Sequence, residues 1–97
     1  MAEEITPEQL AEELRKLRIH DLVLSTVTTL GQLTYAKLEA MELDQARLAI
    51  DAVAALLPTL ERHVEADVLR DFRQVLANVR LAYADAAGKQ QPAAEDA

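Results

Sequence analysis

The chain has 97 residues, a net charge of −7 from 17 acidic against 10 basic groups, and no cysteine. The length fits one domain, and a chain this small gains stability by oligomerising. The charge balance disfavours nucleic acid and anionic membrane surfaces. The missing thiol excludes disulfides, thiolate nucleophiles and cysteine metal sites. Two glycines and three prolines in a chain rich in Ala, Leu, Glu and Arg read as helical.

Met1 to Leu10 is acidic and polar, unlike a signal peptide. The longest uncharged run, Leu22 to Ala36, is too short for a bilayer and is rich in hydroxyls. A soluble cytoplasmic protein is the expectation. Thr6-Pro7-Glu8-Gln9 predicts a helix start, with Thr6 as cap, Pro7 in the first position and Gln9 closing a capping box. Leu10, Leu14 and Leu17 then recur on one face. Asp21 breaks that stripe, and Ile19, Val23, Val27, Leu30, Leu33 and Leu38 start a new phase. The pattern predicts a short helix over about 7–18 and a separate longer one over about 20–38. A single bent helix is the alternative.

Ser25, Thr26, Thr28, Thr29 and Gly31 are poor helix formers inside the second helix. Either they are half-exposed positions, or their small size admits another helix and their hydroxyls bond back to carbonyls one turn earlier. Residues 39–44 form the connection, although they hold no glycine or proline. Asp44 is the expected cap of the third helix. That helix contains Leu48 to Leu57, LAIDAVAALL, in which Asp51 is the one polar residue of ten. A surface helix has one apolar stripe and a polar back, so this segment calls for cover all round. Pro58 predicts a kink at Leu57-Pro58, or an end followed by a short turn through Glu61. The fourth helix is expected over about 67–86. Its stripe is Val68, Leu69, Phe72, Val75, Leu76, Val79 and Tyr83, and Gly88 is its stop. The domain plan is a flexible 1–6, a helical 7–87 and a disordered acidic tail over 88–97.

Asp51 must be paired, protonated or at an edge. Arg47, one turn earlier, and Arg73 and Arg80 on the fourth helix are the ion-pair candidates. The structural reading is a buried or interfacial pair that fixes register, and the functional one is a general acid or base. His63, Asp67 and Glu61 are close in sequence, but the chain has only one further histidine, His20. No metal and no cofactor is expected. The hydroxyls lack a histidine at useful spacing, and no glycine-rich phosphate loop occurs.

Two resemblances add to this reading. The segment Leu10-Ala11-Glu12-Glu13-Leu14-Arg15-Lys16-Leu17-Arg18 resembles the opening of the long helix in small all-helical chorismate mutases. That resemblance implies an enzyme using Arg15, Lys37, Asp44 and Arg47. Those enzymes carry a glutamate straight after the arginine where this chain has Leu48, and a further helix-borne arginine that Leu22 to Ala36 lacks. The run Leu22 to Tyr83 resembles the bacterial domain-of-unknown-function family number 1844, small helical proteins. Leu30-Gly31, Leu43-Asp44-Gln45-Ala46-Arg47, Ala49-Ile50-Asp51 and Leu76-Ala77-Asn78-Val79-Arg80 with Tyr83 carry it. The family has a Lys-, Gly- and Asn-containing turn where this chain reads Leu60 to Ala66. The resemblance implies a helical fold and no activity.

The expected architecture is all-α: an antiparallel bundle of three main helices with a short extra N-terminal helix, completed by oligomerisation. The expected role is a homo-oligomeric interaction or scaffold module without catalysis. The partner is a second copy, a symmetric dimer being the commonest closed arrangement. Val27, Leu30, Ile50, Asp51, Val53, Ala54 and Leu57 are the candidate interface and register residues. The alternatives are the mutase-like enzyme and an adaptor that captures an unidentified partner's helix in an apolar groove.

Overall fold

Thr6 and Gln9 start the first helix as the sequence predicts. The Gln9 backbone N–H donates to the Thr6 hydroxyl at 3.1 Å, and the Thr6 N–H donates to the Gln9 side-chain oxygen at 3.0 Å. The computed structural model describes residues 4–90. Among them it is all-helical: α1 (Pro7–Lys16), α2 (Ile19–Glu39), α3 (Leu43–Leu56), a 3-10 turn (Leu57–Leu60) and α4 (Ala66–Gln90). α1 and α2 are separate helices. Leu17 and Arg18 between them are extended, and the Leu17 N–H caps α1 by donating to the Leu14 carbonyl. None of these helices is long and apolar enough to cross a membrane.

The connection after α2 solves its missing glycine with a left-handed methionine. Met41 has φ of 59°. The Glu42 N–H donates to the Lys37 carbonyl at 2.9 Å and the Met41 N–H to the Leu38 carbonyl at 3.0 Å. That pair of bonds is a Schellman motif with methionine in the place glycine usually fills. α3 then begins at Leu43 with no side-chain cap. Asp44 therefore sits inside the first turn, suiting the helix dipole, and is not the expected cap. At Leu57 the α-helix tightens into a 3-10 turn, with Pro58 in a first-turn position where its missing N–H costs nothing. The helix end, rather than the kink, is what Pro58 imposes. α4 passes through Gly88, the expected stop, and reaches Gln90. Nothing lies within 4 Å of a Cβ built on Gly88, and its φ is not positive. Residues 91–97 of the expected tail, and 1–3, lie outside the described residues.

α2, α3, α4 and the 3-10 turn pack together. The core is Val27 from α2, Ile50 and Val53 from α3, Leu57 and Leu60 from the turn, and Leu69, Leu76 and Val79 from α4. α2 solves its hydroxyl-rich sequence both ways. Thr26 and Thr28 are exposed and donate to the Leu22 and Leu24 carbonyls. Thr34 is fully buried, and its hydroxyl donates to the Leu30 carbonyl at 2.7 Å.

Gly31 is buried where α4 crosses. A Cβ built on it would sit 3.6 Å from Val75 Cγ1, an ordinary contact. Gly31→Ala is therefore expected to raise stability by about 0.5–1 kcal/mol, the helix-propensity difference. A denaturant titration with unchanged slope reads it.

α1 buries no residue and stands off the end of the packed helices. The Cα envelope is accordingly long and thin, 63 × 40 × 16 Å.

Candidate functional site

The apolar segment Leu48 to Leu57 has two environments. Ala49, Ile50, Val53 and Leu57 are buried, and Leu56 is half-buried. Leu48 is 61 % exposed and Asp51 and Ala55 are exposed, with Ala52 half-buried between them. The neighbouring helices of one chain thus cover one side of α3 and leave the other bare.

The bare side continues onto α2. Leu22, Thr26, Thr29 and Leu33 follow each other at i, i+4, i+7 and i+11, which is one helix face. All four are exposed. Where the two faces meet, a shallow cavity of about 140 Å³ is lined by Leu30, Leu33, Leu48, Ala49 and Ala52, with Lys37 and Gln45 at one end. Exposed leucines clustered around an apolar depression mark an interaction surface, and Leu33 and Leu48 do so here. This seam between α2 and α3 is the principal candidate site.

Of the residues expected at an interface, Val27, Ile50, Val53 and Leu57 lie in the chain's own core, and Leu30 and Ala54 are half-buried against it. Asp51 lies on the exposed flank of α3. Its carboxylate is 3.9 Å from Arg47 Nε, and both side chains are about two-thirds exposed. Within one chain this is a loose surface pair worth less than about 1 kcal/mol. Arg73 pairs instead with Glu61 at 2.8 Å, which ties the turn after Leu60 to α4. Arg80 is exposed and makes no ion pair among the described residues.

Leu33 and Leu48 are the site residues that sequence reasoning misses. Leu33 falls in the apolar stripe of α2 that reads as core-facing, and Leu48 within an apolar run that hides which face is outward. The helical phase set by Val27, Gly31, Thr34 and Leu38 separates them, and only the structure shows that phase to be the buried one.

The mutase-like residues are dispersed. Arg15 is on the detached α1. Lys37 donates to Glu42 at 3.0 Å, and Arg47 faces Asp51. Lys37 lines the seam, whereas Asp44 lines a different depression with Met41 to Gln45.

The structure also joins what the sequence kept apart: His20 and His63 stack with ring centroids 6.2 Å apart and 12° between planes. They line a cavity of about 160 Å³ with Ile19, Val23, Thr59 and Leu60. Glu61 and Asp67, the acids near His63, are taken by Arg73 and Arg70. Among the described residues no group of three or more His, Cys, Asp or Glu is placed to hold a metal. Two imidazoles fall short of the three or four protein ligands of a zinc site.

A second apolar groove, of about 350 Å³, runs between α2 and α4 and is lined by Thr28, Gly31, Gln32, Tyr35, Phe72 and Val75. Compared with protein-family models, with curated proteins and with solved structures, the chain matches none.

Proposed function

We propose that this chain is a homo-oligomeric helical interaction module without catalysis. Two copies close around a two-fold axis, each an antiparallel bundle of its three main helices with α1 as an arm. The observation that carries this reading is the bare α2–α3 seam, where Leu33 is 46 % and Leu48 61 % exposed beside an apolar cavity. The small size of the chain adds weight, because three packed helices bury a modest core. The resemblance to the 1844 family belongs to the same reading. Three of its motif positions have defined surroundings here: Gly31 lies beside Val75 of α4, and Arg47 and Asp51 form a loose pair across one turn.

Sedimentation equilibrium at micromolar concentration tests the reading. The expected mass is twice the 10.7 kDa of the chain. A single species at 10.7 kDa across the range overturns it.

The α2–α4 groove favours a second reading, an adaptor that holds a partner's apolar helix on the opposite side of α2. The mutase-like reading needs four charged groups around one dianion and draws no support from their dispersed placement.

A further inference from the structure

α1 is a helix without a partner. Leu10, Leu14 and Leu17 are each half or more exposed, and a helix of ten residues is marginal in water alone. The capping box closes its first turn and the Leu17 N–H its last, and α1 buries no residue against another helix.

We propose that α1 of one copy seats its leucine stripe on the α2–α3 seam of a second copy, reciprocally. This rests on the oligomer reading above and names the segment that makes the contact. Reach decides against the same chain's α1. Leu33 lies fourteen residues beyond Ile19, about 21 Å along the helix at ~1.5 Å per residue. Hinged at Leu17-Arg18 and folded back, α1 carries Leu10 only about 10 Å along α2, seven residues' worth. The stripe therefore stops near Thr26, and its own Leu33 and Leu48 stay bare.

Charge sets the direction. Among the residues lining the seam's cavity Lys37 is the one charged group. It holds Glu42 with one of three N–H donors. Glu8 lies in the first turn of α1, Glu12 and Glu13 in its middle, and Arg15 and Lys16 in the last turn. With its acidic end over Lys37 and Gln45, α1 runs its basic end toward Asp51. Asp51 is six residues on from Gln45, about 9 Å along α3. Asp51 thereby acquires a register role that Arg47 alone does not give it.

The area is sufficient. Leu10, Leu14, Leu17, Leu33 and Leu48 release on the order of 100 Å² apiece. Over both copies this reaches about 1,000 Å², the scale at which a specific interface begins.

Because the chain has no cysteine, single cysteines report contacts unambiguously. Leu14→Cys and Ala52→Cys proteins are mixed, oxidised and sedimented. The expected product is the mixed disulfide, which can form only between copies. Leu10→Glu/Leu14→Glu is expected to weaken dimerisation at least tenfold while the far-UV signal of α2 to α4 persists. A dimer that yields no mixed disulfide, or mainly the disulfide between two Leu14→Cys chains, overturns the docking and leaves the oligomer standing. So does a dimer untouched by Leu10→Glu/Leu14→Glu. A wild-type chain that sediments as a monomer overturns both.

Discussion

Leu57→Ala is expected to destabilise the chain by about 3 kcal/mol, within the ~2–5 kcal/mol that a buried leucine-to-alanine change costs. Leu57 is 2 % exposed, at the joint where α3 tightens into the 3-10 turn. Its side chain meets the core that α2 and α4 share with that joint, so the cavity has walls from three elements and cannot close by moving one. For a domain of this size the midpoint of thermal unfolding falls by about 12–24 °C. Leu57→Met, which nearly conserves volume, is expected to cost less than about 1.5 kcal/mol. Thermal unfolding followed by circular dichroism reads both, at two concentrations far apart. A core residue gives a loss that does not change with dilution. An interface residue, which Leu57 is on the sequence reading, gives a loss that vanishes where the wild type is already dissociated.

The helices are legible in the sequence where local chemistry is specific. Thr6 and Gln9 mark the start of α1 to the residue, and Pro58 marks the end of α3. Asp21, where the Leu10–Leu14–Leu17 phase fails, signals a second helix, and it lies in the first turn of α2 just beyond the break at Leu17-Arg18. Legibility fails where the deciding fact is tertiary. Gly88 is compatible with both a helix end and a helix interior, and α4 has no competing contact there to stop it. The turn after α2 lacks every usual signal because methionine occupies its left-handed position. In LAIDAVAALL, apolar residues all round carry no phase, so the sequence shows that cover is required without showing which side the chain supplies. The buried side is Ala49, Ile50, Val53 and Leu57. The bare side falls to Leu48, Asp51, Ala52 and Ala55, of which Asp51 alone is among the expected interface positions. The stacking of His20 on His63 is beyond sequence reading, since only the packing of the 3-10 turn near the start of α2 brings them together.

Leu48→Glu is expected to separate the two effects that Leu57 confounds. In one chain Leu48 is 61 % exposed, so the substitution changes the stability of the monomer by no more than about 0.5 kcal/mol. At the proposed interface the same glutamate meets a partner's leucine stripe in a desolvated seam, where an unpaired carboxylate costs at least about 2 kcal/mol. Two-fold symmetry places the substitution at the contact twice, so the dissociation constant rises about a thousandfold. Sedimentation then gives a folded monomer with undiminished helical signal. The three glutamates that precede Arg15 in α1 make the sign of the charge informative. Leu48→Lys removes the same apolar contact but faces Glu8, Glu12 and Glu13 rather than repelling them, and is expected to weaken the dimer less than Leu48→Glu. Equal losses for the two variants would mean that apolar burial alone holds the seam and that α1 does not lie on it with its acidic end at Lys37. A Leu48→Glu protein that keeps the wild-type mass would place the interface elsewhere, and the α2–α4 groove beside Phe72 and Val75 would be the surface to alter next.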